Sequence, residues 1–350
     1  MKSTDPDTAR KPGQRLTQRR QGVTLADVAQ AAGVSEITVS RILRNHGPIA
    51  AATRDRVLQA VREVGYVPNR LAGGLASSGS KLVGVIVPSL TNVVFPEVLG
   101  GIRSALAGTG FQAVVGVSDY DLAIEEDLVA SLLAWRPEAM VIAGLEHTPA
   151  ARAMLEGSGV RIAEIMEIDS KPIDLAVGHS HRQAGYDSAQ YLLGRGYRRF
   201  GYVGHDWAAD RRARLRYDGL LAALAEAGLD LVGRHLHAGP SSTAAGRDGL
   251  AALLAQHAGM DVVVFSNDDM ATGGVFHCLG AGIAPKTDLA LFGFNGLDIG
   301  QALPTPLSTM RSNRFLSGKT AIDRLLAQRD RPAQAEIIDT GYQILPGATA

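Results

Sequence analysis

The chain has 350 residues, of which 46% are hydrophobic, 20% charged and 5% aromatic, the composition of a globular protein with two or three folding units. Its longest apolar runs, such as Val262-Val263-Val264-Phe265, fall far short of the ~20 residues of a membrane span. Its single cysteine, Cys278, excludes an intrachain disulfide, and its first residues lack the apolar core of a secretory signal, so a cytoplasmic protein is expected.

The zero net charge hides a division. Residues 1–80 carry 12 Lys and Arg against 6 Asp and Glu, and the remainder carries 23 against 29. A basic front on an acidic body suggests that one end meets a polyanion. Residues 1–22 combine Lys2, Arg10, Lys11, Arg15, Arg19 and Arg20 with Pro, Gly, Gln and Thr, the composition of a disordered basic tail. Regular structure begins at Thr24, which can cap a helix with Asp27 three residues on. Leu25, Val28, Ala29 and Ala32 recur at the spacing of one buried helical face. Gly33 is free to take positive φ and end that helix, and Val34 can plug the turn. Ser35 then caps a second helix with Val39, Ile42 and Leu43 inward and Glu36, Ile37, Ser40, Arg41 and Arg44 outward. A third helix is expected to be capped by Thr53, buried through Val57, Val61 and Val64, and stopped at Gly65. Two short helices around a Gly turn, braced by a third, form a unit that can lay its second helix in a DNA major groove.

The wording of this region is specific. Val23-Thr24-Leu25-Ala26-Asp27-Val28-Ala29, Ala32-Gly33-Val34-Ser35, Thr38-Val39-Ser40-Arg41 and Gly65-Tyr66-Val67-Pro68-Asn69 resemble the LacI/GalR family of bacterial repressors. The resemblance implies that Glu36, Ile37 and Arg41 read bases. Arg41 could donate two hydrogen bonds to guanine, Ile37 could meet a thymine methyl and Glu36 could accept from cytosine N4. It also places Thr24, Ser35, Thr38 and Asn45 at phosphates. Residues 69–80 then match the family's hinge, a helix that pairs with its dimer mate and wedges a leucine, here Leu75, into the minor groove. Asn69, Leu71 and Ala72 accompany it. Gly73 and Gly74 depart from a good helix, which predicts ordering only when two copies meet on the operator; the Ser/Gly composition also fits a plain linker.

From residue 81 apolar strands alternate with amphipathic helices. Strands are predicted at 82–87, 113–117, 139–143, 162–165, 200–203, 262–265 and 289–292, with helices at 98–106, 124–133, 184–193 and 215–225. Such alternation predicts doubly wound parallel sheets, which bind ligands beyond the carboxyl ends of their strands. About 270 residues suit two lobes around a cleft better than one sheet. The resemblance adds an α/β fold like that of periplasmic sugar-binding proteins. It implies crossovers near 178–181, 305–308 and 333–336, hence an N-lobe of about 81–179 and 308–334 and a C-lobe of about 180–306 and 335–350.

Enzyme signatures are missing from the sequence. Gly108-Thr109-Gly110 precedes a strand instead of following one, and there is neither a Walker A sequence nor a Gly-x-Ser-x-Gly elbow. His179-Ser180-His181 and His235-Leu236-His237 lack further metal ligands at suitable spacing. Binding without catalysis, metal or cofactor is the expectation, against the alternatives of a sugar-binding protein without DNA affinity or a sugar-acid enzyme. The cleft should be lined from strand ends, at 88–95, 164–167, 266–269 and 293–296. Candidate effector residues are therefore Thr91, Phe95, Glu164, Asn267, Asp268 and Asn295, with Arg216 at the family's ligand-arginine position and opening the long helix.

Within the family, residues 84–102, His147-Thr148-Pro149, Asn267-Asp268-Asp269-Met270-Ala271 and 293–301 are similar to the branch that controls gluconate utilisation. That similarity implies gluconate or a related sugar acid as inducer, with Arg216 holding its carboxylate in bidentate fashion. The acidic pair Glu164 and Glu167 keeps a neutral sugar open, and a corepressor is the alternative to an inducer. No heptad tail follows the last strand, so a homodimer on palindromic double-stranded DNA is expected.

Overall fold

A computed structural model describes residues 23–43, 46–67, 80–208, 210–329 and 333–350. The basic tail, Arg44, Asn45 and the hinge positions Asn69, Leu71, Ala72 and Leu75 lie outside the described residues. The chain divides into two compact units, Met1–Ser77 and Ser78–Ala350.

The first unit is a three-helix head. Helix α1 (Leu25–Ala32) opens on a complete capping box: the Asp27 amide donates to Thr24 Oγ1, and the Thr24 amide donates to Asp27 Oδ2 at 2.7 Å. Gly33 ends it at φ +63°, a conformation that costs an L-residue with a side chain. Helix α2 (Glu36–Leu43) follows, its first turn tied down by the Thr38 amide donating to Ser35 Oγ at 3.2 Å. Helix α3 (Ala51–Val64) stops at left-handed Gly65. Val28, Ala29, Ala32, Val39, Ile42, Val57 and Ala60 make the core, with Val34 packed against it. Thr53 does not cap α3. The helix begins two residues earlier, Ala50 takes the cap position, and Thr53 is the third residue of the first turn.

The second unit alternates strand and helix: β1 (Leu82–Val87), α4 (Val94–Leu106), β2 (Gln112–Val117), α5 (Leu122–Ala134), β3 (Ala139–Ala143), α6 (Pro149–Gly157), β4 (Arg161–Ile165) and β5 (Leu175–Gly178). It continues with α7 (His181–Gly194), β6 (Phe200–His205), α8 (Arg211–Glu226), β7 (Gly233–His237), α9 (Thr243–Gln256), β8 (Val262–Phe265), α10 (Asp268–Ala281) and β9 (Ala290–Phe294). Last come α11 (Asp298–Gln301), β10 (Ser308–Ser312), α12 (Arg314–Ala327), β11 (Glu336–Asp339) and β12 (Tyr342–Leu345).

Two six-stranded sheets result, in the orders β11-β5-β4-β3-β1-β2 and β12-β10-β9-β8-β6-β7. Every pairing is parallel except β10 with β12, which closes the second sheet with one antiparallel edge. Apolar cores lie against each sheet, around Val83, Val85 and Phe95 and around Ile86, Met140 and Ile162 in the first. In the second they gather around Phe200, Leu220 and Phe292 and around Val263, Phe265 and Leu291.

The chain passes between lobes at Gly178–His181. The other two crossings lie later than 305–308 and 333–336, because hydrogen bonding carries each strand further. Ser308–Ser312 still pairs with β9, so the return to the first lobe falls between Ser312 and Arg314. Glu336–Asp339 still pairs with β5, so the last crossing falls between Asp339 and Tyr342. Both sheets place neighbours on either side of their first strand, β1 or β6, the switch point where doubly wound sheets take ligands.

Candidate functional site

In the head, the outer face of α2 carries the expected DNA-reading side chains. Ile37 is 72% exposed, and Glu36 and Arg41 are exposed beside it. An apolar side chain so far from the core contributes nothing to folding the head. The hydroxyls of Thr24 and Ser35 both cap helices, and Ser35 Oγ also lies 2.9 Å from Thr38 Oγ1. They stand at helix N-termini, where amides and dipole attract phosphate.

In the second unit a cleft of about 690 Å³, mouth included, opens at the carboxyl ends of the strands. Each wall side chain follows a strand: Asn92 and Phe95 follow β1, Tyr120 follows β2, Met166 follows β4, and His181 follows β5. From the second sheet come His205, Asp210, Arg212 and Arg216 around β6, Ser241 after β7, Asn267 after β8 and Asn295 after β9.

Arg216 sits in the second turn of α8 and does not open it, since that helix starts five residues earlier. Its seat depends on glycine. A Cβ at Gly185 of α7 would collide with the Arg216 carbonyl, and one at Gly219 with that of Arg182, so the two helices touch backbone to backbone. The Arg216 guanidinium donates through Nη1 to His181 Nδ1 at 3.0 Å and through Nη2 to the Ser266 carbonyl at 2.9 Å, and it lies 4.2 Å above the Phe294 ring. Because guanidinium only donates, His181 Nδ1 must accept. His181 Nε2–H then donates to the Met166 carbonyl at 2.9 Å, across the lobes. Burial, with the charges of His179, Arg216 and Arg212, holds the His181 imidazole well below its usual range and therefore neutral.

Asp210 caps α8 by accepting from the Ala213 amide at 3.1 Å, and His205 Nε2 stands 3.4 Å from its other oxygen. Burial pushes this carboxyl up, but the His205 hydrogen bond and the charges of Arg216 and Arg212 prevail and hold it well below the usual carboxylate range. Asn92 donates to Tyr120 Oη at 3.0 Å, and Asn267 Oδ1 caps α10 through the Met270 amide at 3.1 Å. Asn295 holds φ +122°, far from ordinary L-residue backbone. It is fixed by its amide on the Met310 carbonyl and its carbonyl under Arg314 Nη1 at 2.6 Å.

Phe95, Arg216, Asn267 and Asn295 thus share the cleft, whereas Thr91, Glu164 and Asp268 do not line it. Thr91 Oγ1 pairs with Ser89 Oγ at 3.1 Å. Glu164 is fully buried, accepting from the Ile173 amide at 2.5 Å and lying 3.1 Å from His147 Nε2. Burial alone would lower His147, but Glu125 and Glu164 flank it and raise it to about 9, so it is an imidazolium between two carboxylates. Asp268 turns into the scaffold, accepting from the Leu297 amide at 2.7 Å and Thr309 Oγ1 at 2.6 Å. Asn92 and Met166 fall within the stretches expected to line the cleft, 88–95 and 164–167, though neither was singled out, whereas Tyr120, His181, His205, Asp210, Arg212 and Ser241 were not foreseen. Asp210 and Arg212 follow β6 and obey the strand-end rule, but with that strand predicted to stop at 203 instead of His205 they fell outside the search.

Among the described residues no group of three His, Cys, Asp or Glu side chains could hold a metal, and no helix is long and apolar enough to cross a membrane.

Comparison with known proteins decides the relationship. Residues 24–69 match the bacterial regulatory proteins of the lacI family, and residues 80–343 match the periplasmic binding proteins and sugar binding domain of the LacI family. This chain belongs to the LacI family. The HTH-type transcriptional regulator GntR of Pseudomonas aeruginosa is 37% identical over 324 residues, 92% of this chain and 94% of that protein. A LacI family transcriptional regulator from Silicibacter pomeroyi superposes with a TM-score of 0.89 at 44% identity, covering 93% of this chain and 99% of the other. The lac repressor dimer bound to operator and the anti-inducer ONPF superposes with a TM-score of 0.80 over 94% of this chain and 99% of its own, at 24% identity, which shows the shared fold. Like its LacI family relatives, the chain is a DNA-binding transcriptional regulator and not an enzyme. Its architecture is theirs: a helix-turn-helix head followed by a two-lobed α/β body.

Proposed function

We propose that the chain represses genes of sugar-acid catabolism from the cytoplasm, binding a palindromic operator as a homodimer and leaving it when gluconate or a related sugar acid enters the cleft. One observation carries the choice of an acid: two guanidiniums, Arg212 and Arg216, face the cleft against one carboxylate, Asp210. Glu164 and Glu167, the acidic pair that favoured a neutral sugar, are both spent elsewhere. Glu164 bonds within the first lobe, and Glu167 bonds Arg211. The GntR regulator at 37% identity points the same way, as does the resemblance to the gluconate branch.

On the DNA side, Glu36, Ile37 and Arg41 read bases while Thr24, Ser35, Thr38 and Asn45 hold phosphates. Asn69, Leu71, Ala72 and Leu75 meet the minor groove from the hinge. Support for the first set is the exposure of Ile37 on a helix whose other face fills the core; the hinge assignment rests on the sequence resemblance.

A ligand displaces the operator only through a difference in affinity between the two states, and a tenfold loss of operator binding needs about 1.4 kcal/mol of such difference. Titration of D-gluconate, 6-phosphogluconate and D-glucose into the protein on its operator tests the reading. Release by a sugar acid and none by glucose is expected. Tightening would show a corepressor, and silence from both acids would remove the ligand assignment.

A further inference from the structure

The sequence resemblance gives Arg216 the ligand's carboxylate, and the geometry gives that task to another residue. We propose that Arg212 is the carboxylate-reading side chain of the cleft, the one that makes the site prefer an aldonate over the neutral polyol of the same length. The inference rests on the sugar-acid reading above and names the residue that enforces it.

Four arginines stand on the first two turns of α8, and three are committed. Arg211 turns away to Glu167 and to Ser170 Oγ at 3.1 Å. Arg214 donates to Asp218 at 2.8 Å and covers the Trp207 ring at 4.7 Å. Arg216 spends Nη1 on His181 and Nη2 on Ser266, so the two-pronged end that would grip a carboxylate already holds the fold. Its Nε is buried without a hydrogen-bond partner and each Nη keeps a second N–H, but these donors belong to a group anchored at both ends of its fork on the wall and not to one free to turn to a ligand.

Arg212 differs in each respect. It makes no hydrogen bond among the described residues, and its ion-pair partner there is Asp210, with Nε 3.9 Å from Oδ1, too long for a hydrogen bond. Its guanidinium lies 5.7 Å from the centre of the Phe95 ring, which belongs to the opposite lobe and holds the plane without consuming its donors. Its side chain is only 15% exposed, so a pairing made there is screened less than on the surface. Asp210 cannot satisfy it, since that carboxylate already caps α8 and faces His205. An aldonate brings a carboxylate for the open fork and hydroxyls for the amides of Asn92, Asn267 and Asn295. The neutral polyol brings only the hydroxyls. Arg216 acts by positioning: it fixes His181 and the Ser266 carbonyl, and through them the wall both ligands touch.

The test uses the full chain and three probes, D-gluconate, 6-phosphogluconate and D-glucitol, titrated calorimetrically. For Arg212→Gln the gluconate affinity should fall at least ~30-fold, the scale of a lost charged hydrogen-bond pair, while glucitol changes by less than ~3-fold. Arg212→Lys should recover part of the loss, because it restores the charge and not the fork. The retained glucitol affinity separates a lost contact from a damaged fold. If wild type binds gluconate and Arg212→Gln keeps the wild-type ratio of gluconate to glucitol, the assignment of Arg212 is wrong and the sugar-acid reading stands. If wild type binds neither gluconate nor 6-phosphogluconate, both are wrong together.

Discussion

The two candidate functional surfaces are built on opposite plans. On the head, Glu36, Ile37 and Arg41 stand out from α2 and take no part in the core, so they cost the fold little and gain partners only from outside. In the cleft nearly every polar side chain already has a second task. Asn267 caps α10, Asp210 caps α8, Arg216 braces His181, and Asn92 holds Tyr120. A DNA-reading face must fit a partner larger than itself and can stay bare. A cleft walled by buried polar groups cannot, because each one left unpaired costs about 1–3 kcal/mol. Substitutions on the head should therefore change recognition alone, and substitutions in the cleft should change recognition and stability together.

Arg216→Ala should be the strongest demonstration. It strips His181 Nδ1 and the Ser266 carbonyl of their donor and uncovers the Phe294 face. A loss of about 3–4 kcal/mol of body stability is expected, together with loss of every ligand response. Thermal unfolding and ligand titration on the same protein check it. A variant that unfolds like wild type would show the network to be ornamental, and the contrast between the two surfaces would go with it.

That contrast also explains what was legible in the sequence. The head was read almost to the residue, because helical period, the Thr24–Asp27 box and Gly33 are local signals whose meaning does not depend on distant chain. Thr53 failed because a backbone turn starting at Ala51 needed no side-chain cap. In the body, strands buried on both faces such as β1 and β8 announced themselves as apolar runs. The edge strand β7, with Arg234, His235 and His237, did not, and Ser241 after it was lost with it. The cleft was half legible for a physical reason. Asn267 and Asp268 are adjacent polar residues on one strand end, and only the packing of β10 and of residues 296–297 decides that one faces the cleft and the other faces Thr309.

Asp268 allows that division to be measured. Burial raises its carboxyl to about 6 against the bonds from Thr309 and Leu297 that lower it. The folded protein therefore keeps this proton up to about pH 6, whereas the unfolded chain, with an ordinary value of 3.8, releases it earlier. The folded state binds more protons between those values, so the contribution of this group to stability falls as pH rises through that window and is level above it. Asp268→Asn can keep both bonds, its oxygen accepting from Leu297 and its amide donating to Thr309. The variant should gain on wild type progressively from about pH 4 to 6, by on the order of 2–3 kcal/mol at neutral pH, with ligand affinity unchanged. Thermal melts at stepped pH give the difference curve. A pH-independent difference, or a loss of ligand binding, would return Asp268 to the cleft.

The smallest expected effect falls on the head. Arg41→Ala should leave thermal unfolding unchanged, because the side chain is exposed and touches no core residue. It should weaken the operator by about 1–3 kcal/mol, the worth of one bidentate contact to guanine. Binding to unrelated duplex, which depends on counterion release from phosphates, should shift far less, by the share of one positive charge in the salt dependence. Competition between operator and bulk DNA over a range of salt separates the two. Equal losses on both would make Arg41 a phosphate contact, leaving Ile37 and Glu36 to carry base reading from a helix with little room for more. Unequal losses with unchanged melting would complete the contrast: a side chain free of the fold on one surface, and on the other a fold that cannot spare the residues of its cleft.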